Sequence, residues 1–220
     1  MDLLRIKDFL MKNLKKNEKD KNKLYYPSIA GLDFAGFEDF FNAKNPYGFR
    51  DILTDTREHL KEIFTSEIYI TVHCGETKLN NHKSSKSQWI KNVYDMVLQL
   101  QADRLGHALN ISDLYLQKLK RKNITIELCP SSNCQISAFS RTPWIESTKE
   151  TLTYPIKKYF DFGLNITINT DDPAISKTNW TKELFLASEL YPNNLSIEDI
   201  FKIIHNGVMG SFLTQKNQKN

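Results

Sequence analysis

Three short stretches of this sequence carry residues that could do chemistry together. His73-Cys74-Gly75-Glu76 sets an imidazole and a carboxylate three positions apart, with a glycine between them that lets the chain bend back so both face one pocket. The imidazole can bind a divalent metal, and the carboxylate can serve as a general acid. Leu105-Gly106-His107 offers a second imidazole, able to polarise a metal-bound water and shuttle its proton. Asn169-Thr170-Asp171-Asp172-Pro173 ends in two adjacent carboxylates, so that one can bind a metal while the other contacts a substrate. The same residues also suit a plain Asx turn followed by proline. Taken together they offer a metal site, a base, and an acid for a leaving nitrogen, which are the parts of a zinc hydrolase.

Such residues need a frame, and the pattern of the chain supplies one. Apolar, β-prone runs alternate with longer amphipathic stretches, as in repeated strand and helix units around a parallel sheet. Strands are expected near 28–35, 67–72, 103–106, 124–129 and 164–169, with helices near 49–64 and 87–100 after the first two. In the second helix Trp89, Val93, Met96, Val97 and Leu100 recur at spacings of three and four, marking one buried face. Ser112 is an expected N-cap for the next helix. After the fourth strand come a loop and then a helix that ends at Gly163. Two helices close the chain, and Ser196 with Asp199 three residues later reads as a capping box. Asp33, His73, Glu76, His107, Asp171 and Asp172 all fall at C-terminal ends of these strands, where parallel α/β folds build their sites. The unit length matches that of an eight-unit barrel of about 250 residues. The expected fold is therefore α/β, a partial TIM-type (β/α) barrel of about five of eight strand-helix units, with an open doubly wound sheet as the alternative.

Composition narrows the classes. The chain has 220 residues, 40% of them hydrophobic and 25% charged, as in an ordinary globular domain. No run approaches the roughly 18 apolar residues of a membrane span, and no signal-peptide pattern opens the sequence, so a cytoplasmic protein without a membrane partner is expected. Three cysteines with no C-x-x-C pair suggest reduced thiols and neither a disulfide framework nor a zinc knuckle. The net charge of +4 sits wholly in residues 1–23, which hold eight Lys/Arg against four Asp/Glu, while the rest of the chain holds 22 of each sign. A nucleic-acid-binding face is therefore not expected. The division expected is a basic helical leader (1–24), the partial hydrolase barrel (25–214) and a short tail (215–220).

In order and spacing, Gly31-Leu32-Asp33-Phe34-Ala35-Gly36-Phe37-Glu38, Thr71-Val72-His73-Cys74-Gly75-Glu76, Arg104-Leu105-Gly106-His107, Glu127-Leu128-Cys129-Pro130-Ser131-Ser132-Asn133 and Asn169-Thr170-Asp171-Asp172-Pro173 resemble the successive motifs of the adenosine deaminase family. The resemblance implies one Zn2+ held by His73 and Asp171. It implies Glu76 as proton donor to N1 of the purine and His107 as the group that orients and deprotonates the attacking water. It also implies Asp172 as a partner of N7, and the backbone N–H of Gly36 as a partner of N3. The substrate implied is adenosine or a close 6-aminopurine, and the products are inosine and ammonia. Two departures stand out. Ala108 follows the histidine where the family usually has glycine, so a slightly tighter pocket is expected. The family's first-strand His-x-His is missing from the five histidines His59, His73, His82, His107 and His205. That absence leads to the expectation that the chain alone is inactive and that a complementary N-terminal fragment would complete the zinc site.

Three other readings compete with this one. A cytidine-type deaminase needs His-x-Glu and P-C-x-x-C, whereas here the spacing is His-x-x-Glu and Cys129 to Cys134 is too long. A two-metal amidohydrolase would place a lysine at the end of the strand over 31–36, and there is none. A non-catalytic remnant is favoured by the missing His-x-His and opposed by the intact Glu76, His107, Asp171 and Asp172.

Overall fold

The structure is a computed structural model that describes residues 31–35, 69–76, 102–109, 111–136, 154–191 and 194–212. The leader, the tail, Gly36, and the helices expected over 49–64 and 87–100 lie outside the described residues, as do the domain boundaries.

Five short parallel strands make one sheet: β1 (Gly31–Phe34), β2 (Tyr69–Cys74), β3 (Arg104–His107), β4 (Thr125–Leu128) and β5 (Asn165–Ile168). Their order in space is their order in sequence. A doubly wound sheet reverses its strand order at a switch point, and this one has no such reversal, so the sheet is an arc of a (β/α) barrel. Between β3 and β4 runs α1 (Asp113–Arg121), and between β4 and β5 lie α2 (Pro130–Ile136) and α3 (Ile156–Asp161). After β5 come α4 (Pro173–Ser176), α5 (Trp180–Glu189) and α6 (Ile197–Met209). Among the described residues no helix is long and apolar enough to cross a membrane.

Side chains alternate along a strand, and paired residues of parallel neighbours share a face. The register therefore sorts the sheet into two faces. Leu32, Phe34, Ile70, Val72, Cys74, Leu105, Ile126, Leu128, Ile166 and Ile168 make an apolar face. Apart from the half-buried Leu32, it forms the core with Leu116 and Leu119 of α1 and Ile156 and Tyr159 of α3, the last four fully buried. Each such side chain gains about 1.5–3 kcal/mol by leaving water. The opposite face is polar: Asp33, Thr71, His73, Arg104, Thr125, Glu127 and Thr167. Arg104 pairs with Glu127, whose other oxygen accepts from Thr71 Oγ1 at 3.2 Å. At the foot of this face Phe212 stacks on Tyr69 (ring centroids 5.2 Å apart) beneath the Arg104 guanidinium. Gly31 is required there, because a Cβ would lie 2.5 Å from the Phe212 ring.

β5 ends the described sheet. In a parallel ladder alternate residues turn their backbone groups to opposite sides. Asn169 N–H bonds Leu128 on β4, so the carbonyls of Ile166 and Ile168 face the outer edge. Both accept bonds from side chains: Asn206 Nδ2 on Ile166 at 3.0 Å and Trp180 Nε1 on Ile168 at 3.1 Å.

The element ends follow their local chemistry with some corrections. Gly163 adopts φ 70° after α3, and the Ser196–Asp199 capping box forms in both directions, as expected. Ser112 does stand at the N-cap of α1, but its side chain makes no capping bond. β2 runs on through His73 and Cys74, and Asp33 lies inside β1, so those residues belong to the strands rather than following them. The stretch after β4, expected as a loop, begins with α2, where Pro130 opens the helix directly after Cys129.

Candidate active site

Three strand ends turn through left-handed backbone: Gly75 (φ 70°) after β2, His107 and Ala108 (φ 61° and 48°) at the end of β3, and Asp171 (φ 56°) after β5. Histidine and aspartate tolerate that region better than most residues. The turn at His107 changes its surroundings. By alternation it belongs with Leu105 on the apolar face, yet its ring meets His73 edge to face, with centroids 4.9 Å apart. Ala108 is buried in the core, where its carbonyl accepts from Tyr159, and it does not line the cleft that it was expected to tighten.

The expected site residues come together around His107 Nε2. His73 Nδ1 lies 3.2 Å from it, Glu76 Oε2 3.6 Å and Asp171 Oδ2 4.0 Å. On its far side the His73 ring meets Asp33, with Nε2 3.3 Å from Oδ1. Among the described residues, ligand atoms of His73, Glu76 and His107 all lie within 4.8 Å of one another, a spacing and donor set that could hold a metal ion. A carboxylate on the outer nitrogen of His73 leaves the inner one as the ligand, an arrangement that raises its basicity. The cluster opens into a cleft of about 1010 Å³ whose lining includes Asp33, His73, Arg104, Glu127, Asp171 and Trp180.

The two imidazoles are driven apart in basicity. The hydrogen bond to Asp33 raises His73, whereas burial, followed by the charge on His73, lowers His107 to about 4. His107 is therefore neutral near pH 7.

Asp172 is placed differently from Asp171. Its Oδ1 accepts from the backbone N–H groups of Ala174 and Ile175 at 3.1 and 3.2 Å, so it caps α4 at an exposed position. The Asx-turn reading of this residue is thus realised, and its second oxygen takes no part in those bonds. Two partners, Asn133 and Tyr154, were missed by sequence reasoning, and Asp33, already placed at a strand end, takes the specific role of backing His73. Asn133 Nδ2 lies 2.9 Å from His107 Nδ1, and Tyr154 donates to Asn133 Oδ1. The position of Asn133, four residues after the C-terminus of a strand run, was the available signal for it. Tyr154 carried none.

Comparison with known proteins decides the family. The adenosine deaminase family model matches residues 14–220 of this chain. The chain belongs to the adenosine deaminase family. Within it, the adenosine deaminase of Enterococcus faecalis is 31% identical over 193 residues, covering 87% of this chain and 48% of its own length. That of Plasmodium gallinaceum is 29% identical over 175 residues, covering 78% and 41%. The chain thus spans about half the length of the curated relatives it matches. Two solved structures share the fold. Arabidopsis ADAL complexed with IMP has a TM-score of 0.59 at 19% identity, over 96% of this chain and 53% of that one. The adenine deaminase of Arthrobacter aurescens has a TM-score of 0.60 at 17% identity, over 96% and 57%.

Proposed function

We propose that this cleft serves zinc-dependent hydrolytic deamination of adenosine or a close 6-aminopurine, giving inosine and ammonia. The observation that carries the reading is the convergence of His73, Glu76 and Asp171 within 4.0 Å of His107 Nε2, in a cleft large enough for a purine nucleoside, in a chain of this family. His73 and Asp171 would hold the zinc. When bound, the ion would act as a Lewis acid that makes water nucleophilic near neutral pH. Glu76 gives its proton to N1 of the purine as C6 is attacked, and His107 orients the attacking water. Asp172 offers N7 the oxygen that does not face the α4 cap. The N–H of Gly36, outside the described residues, is assigned to N3. The family's His-x-His is assigned to a complementary polypeptide, since catalytic zinc sites typically have at least three protein ligands.

The test follows adenosine conversion by ultraviolet absorbance, using the purified 220-residue chain with zinc, alone and mixed with a fragment bearing His-x-His. Turnover in the mixture but not by the chain alone, abolished by Glu76→Gln, is the expected result. Absence of turnover on adenosine, adenine and AMP in both formats, with zinc bound, would overturn the reading.

A further inference from the structure

The most buried imidazole of the cleft is held from behind. Tyr154 Oη donates to Asn133 Oδ1 at 2.9 Å, and Asn133 Nδ2 lies 2.9 Å from His107 Nδ1. All three side chains are buried, and His107 and Asn133 have no exposure at all. Burial drives the Tyr154 phenol well above its ordinary value, so it remains an O–H donor near neutral pH. A phenol that donates meets the oxygen end of the Asn133 amide. The nitrogen end is then turned to His107, and an amide nitrogen can only donate, so Nδ1 must accept. An imidazole that accepts at Nδ1 has no proton there, so it is neutral and carries its one proton on Nε2. Nε2 is the atom that faces His73, Glu76 and Asp171.

We infer that Asn133 and Tyr154 are positioning residues that lock His107 in the tautomer protonated at Nε2, so that His107 meets the cleft as a hydrogen-bond donor. The bonds beyond it continue in the same sense. In the metal-free protein with His73 neutral, Nε2–H of His107 donates to His73 Nδ1, and Nε2–H of His73 is left to donate to Asp33. The consequence for reaction rests on the proposed function. His107 then orients the attacking water through its N–H and has no lone pair at Nε2 to take a proton. The water proton passes instead to the Glu76 carboxylate, 3.6 Å from Nε2, while an oxygen electron pair forms the bond to C6 and the C6=N1 π pair moves onto N1. Glu76 returns that proton to N1. This replaces the deprotonating role that family resemblance implies for His107.

The experiment records long-range proton–nitrogen correlation spectra of the imidazoles in the metal-free, 15N-labelled 220-residue chain, with His107→Gln identifying the resonance. Expected for His107 is a pyrrole-type Nε2 and a pyridine-type Nδ1. Asn133→Asp should exchange the two, because a carboxylate accepts from Nδ1–H. Tyr154→Phe, which releases the amide, should blur the pattern towards a mixture. If Asn133→Asp does not fold, the parent chain and Tyr154→Phe still decide. A proton on Nδ1 in the parent, or a parental pattern retained in the variants that fold, would overturn the inference. None of these readouts needs turnover, so absence of deaminase activity would sink the proposed function and leave this inference standing. Where turnover is found, Asn133→Asp should lower kcat by about 100-fold with KM little changed.

Discussion

Replacing Glu183 should cost the folded chain far more than an ordinary acidic residue would. This carboxylate lies on α5 and is fully buried. Oε2 accepts from the backbone N–H of Ser131 at 2.9 Å, in the first turn of α2, and Oε1 accepts from Thr178 Oγ1 at 2.5 Å. Hydrogen bonds to a charged group contribute about 1.5–3 kcal/mol each, and an acid at a helix N-terminus adds about 0.3–1 kcal/mol. Burial of the charge opposes these gains by several kcal/mol. In Glu183→Ala that opposition is lifted, but the buried Ser131 N–H is orphaned, at about 1–3 kcal/mol, and a cavity opens. The expected net loss is about 3 kcal/mol, or a fall in Tm of about 6–12 °C for a chain of this size. Glu183→Gln keeps an acceptor for Ser131 and should lose about half as much. Urea unfolding followed by circular dichroism measures both. An alanine variant within about 0.5 kcal/mol of the parent, the range of a surface substitution, would refute the claim that this residue ties α5 to α2.

Further expectations concern other parts of the fold. Gly31→Ala places a Cβ 2.5 Å from Phe212 and 2.8 Å from the Tyr69 carbonyl oxygen, so it should destabilise by about 1–3 kcal/mol. Phe212→Ala in the same chain should recover part of that loss, and a double-mutant cycle by denaturant unfolding measures the coupling. Asp33→Ala should weaken zinc binding by about 10–100-fold through the loss of its hold on His73; a competition titration with a chromophoric chelator reads this, and unchanged affinity would count against it. Ala108→Gly relieves a left-handed backbone that costs about 1–2 kcal/mol while losing a buried methyl worth about 0.8 kcal/mol. Its stability should therefore change by less than about 1 kcal/mol, checked by thermal unfolding.

The strands were legible because an apolar run bounded by polar residues is a strong signal even when it is short. Ile124 to Cys129 and Leu164 to Asn169 sit within two residues of β4 and β5. The site was legible because its residues stand at strand ends, where sequence position alone predicts convergence. His73, Glu76, His107 and Asp171 do converge. What the sequence hid was long-range. Tyr154 reaches Asn133 across 21 positions, and Glu183 reaches Ser131 across 52. No local pattern encodes either contact. Asp172 shows the opposite case, since a turn and a ligand contact demand the same residue type, and only geometry reveals that one of its oxygens serves the turn.

The outer edge of β5 also bears on how this sheet meets other polypeptides. Ile166 and Ile168 already satisfy their carbonyls with Asn206 and Trp180 from the chain's own helices. A visiting strand must evict both donors before it can add a single rung there, forfeiting about 0.5–1.5 kcal/mol for each. A chance encounter that brings one or two backbone bonds gains little by the exchange. Only a strand long enough to bring a full ladder and its own apolar face would offset that loss, so the two side-chain donors protect the edge against short, casual pairings.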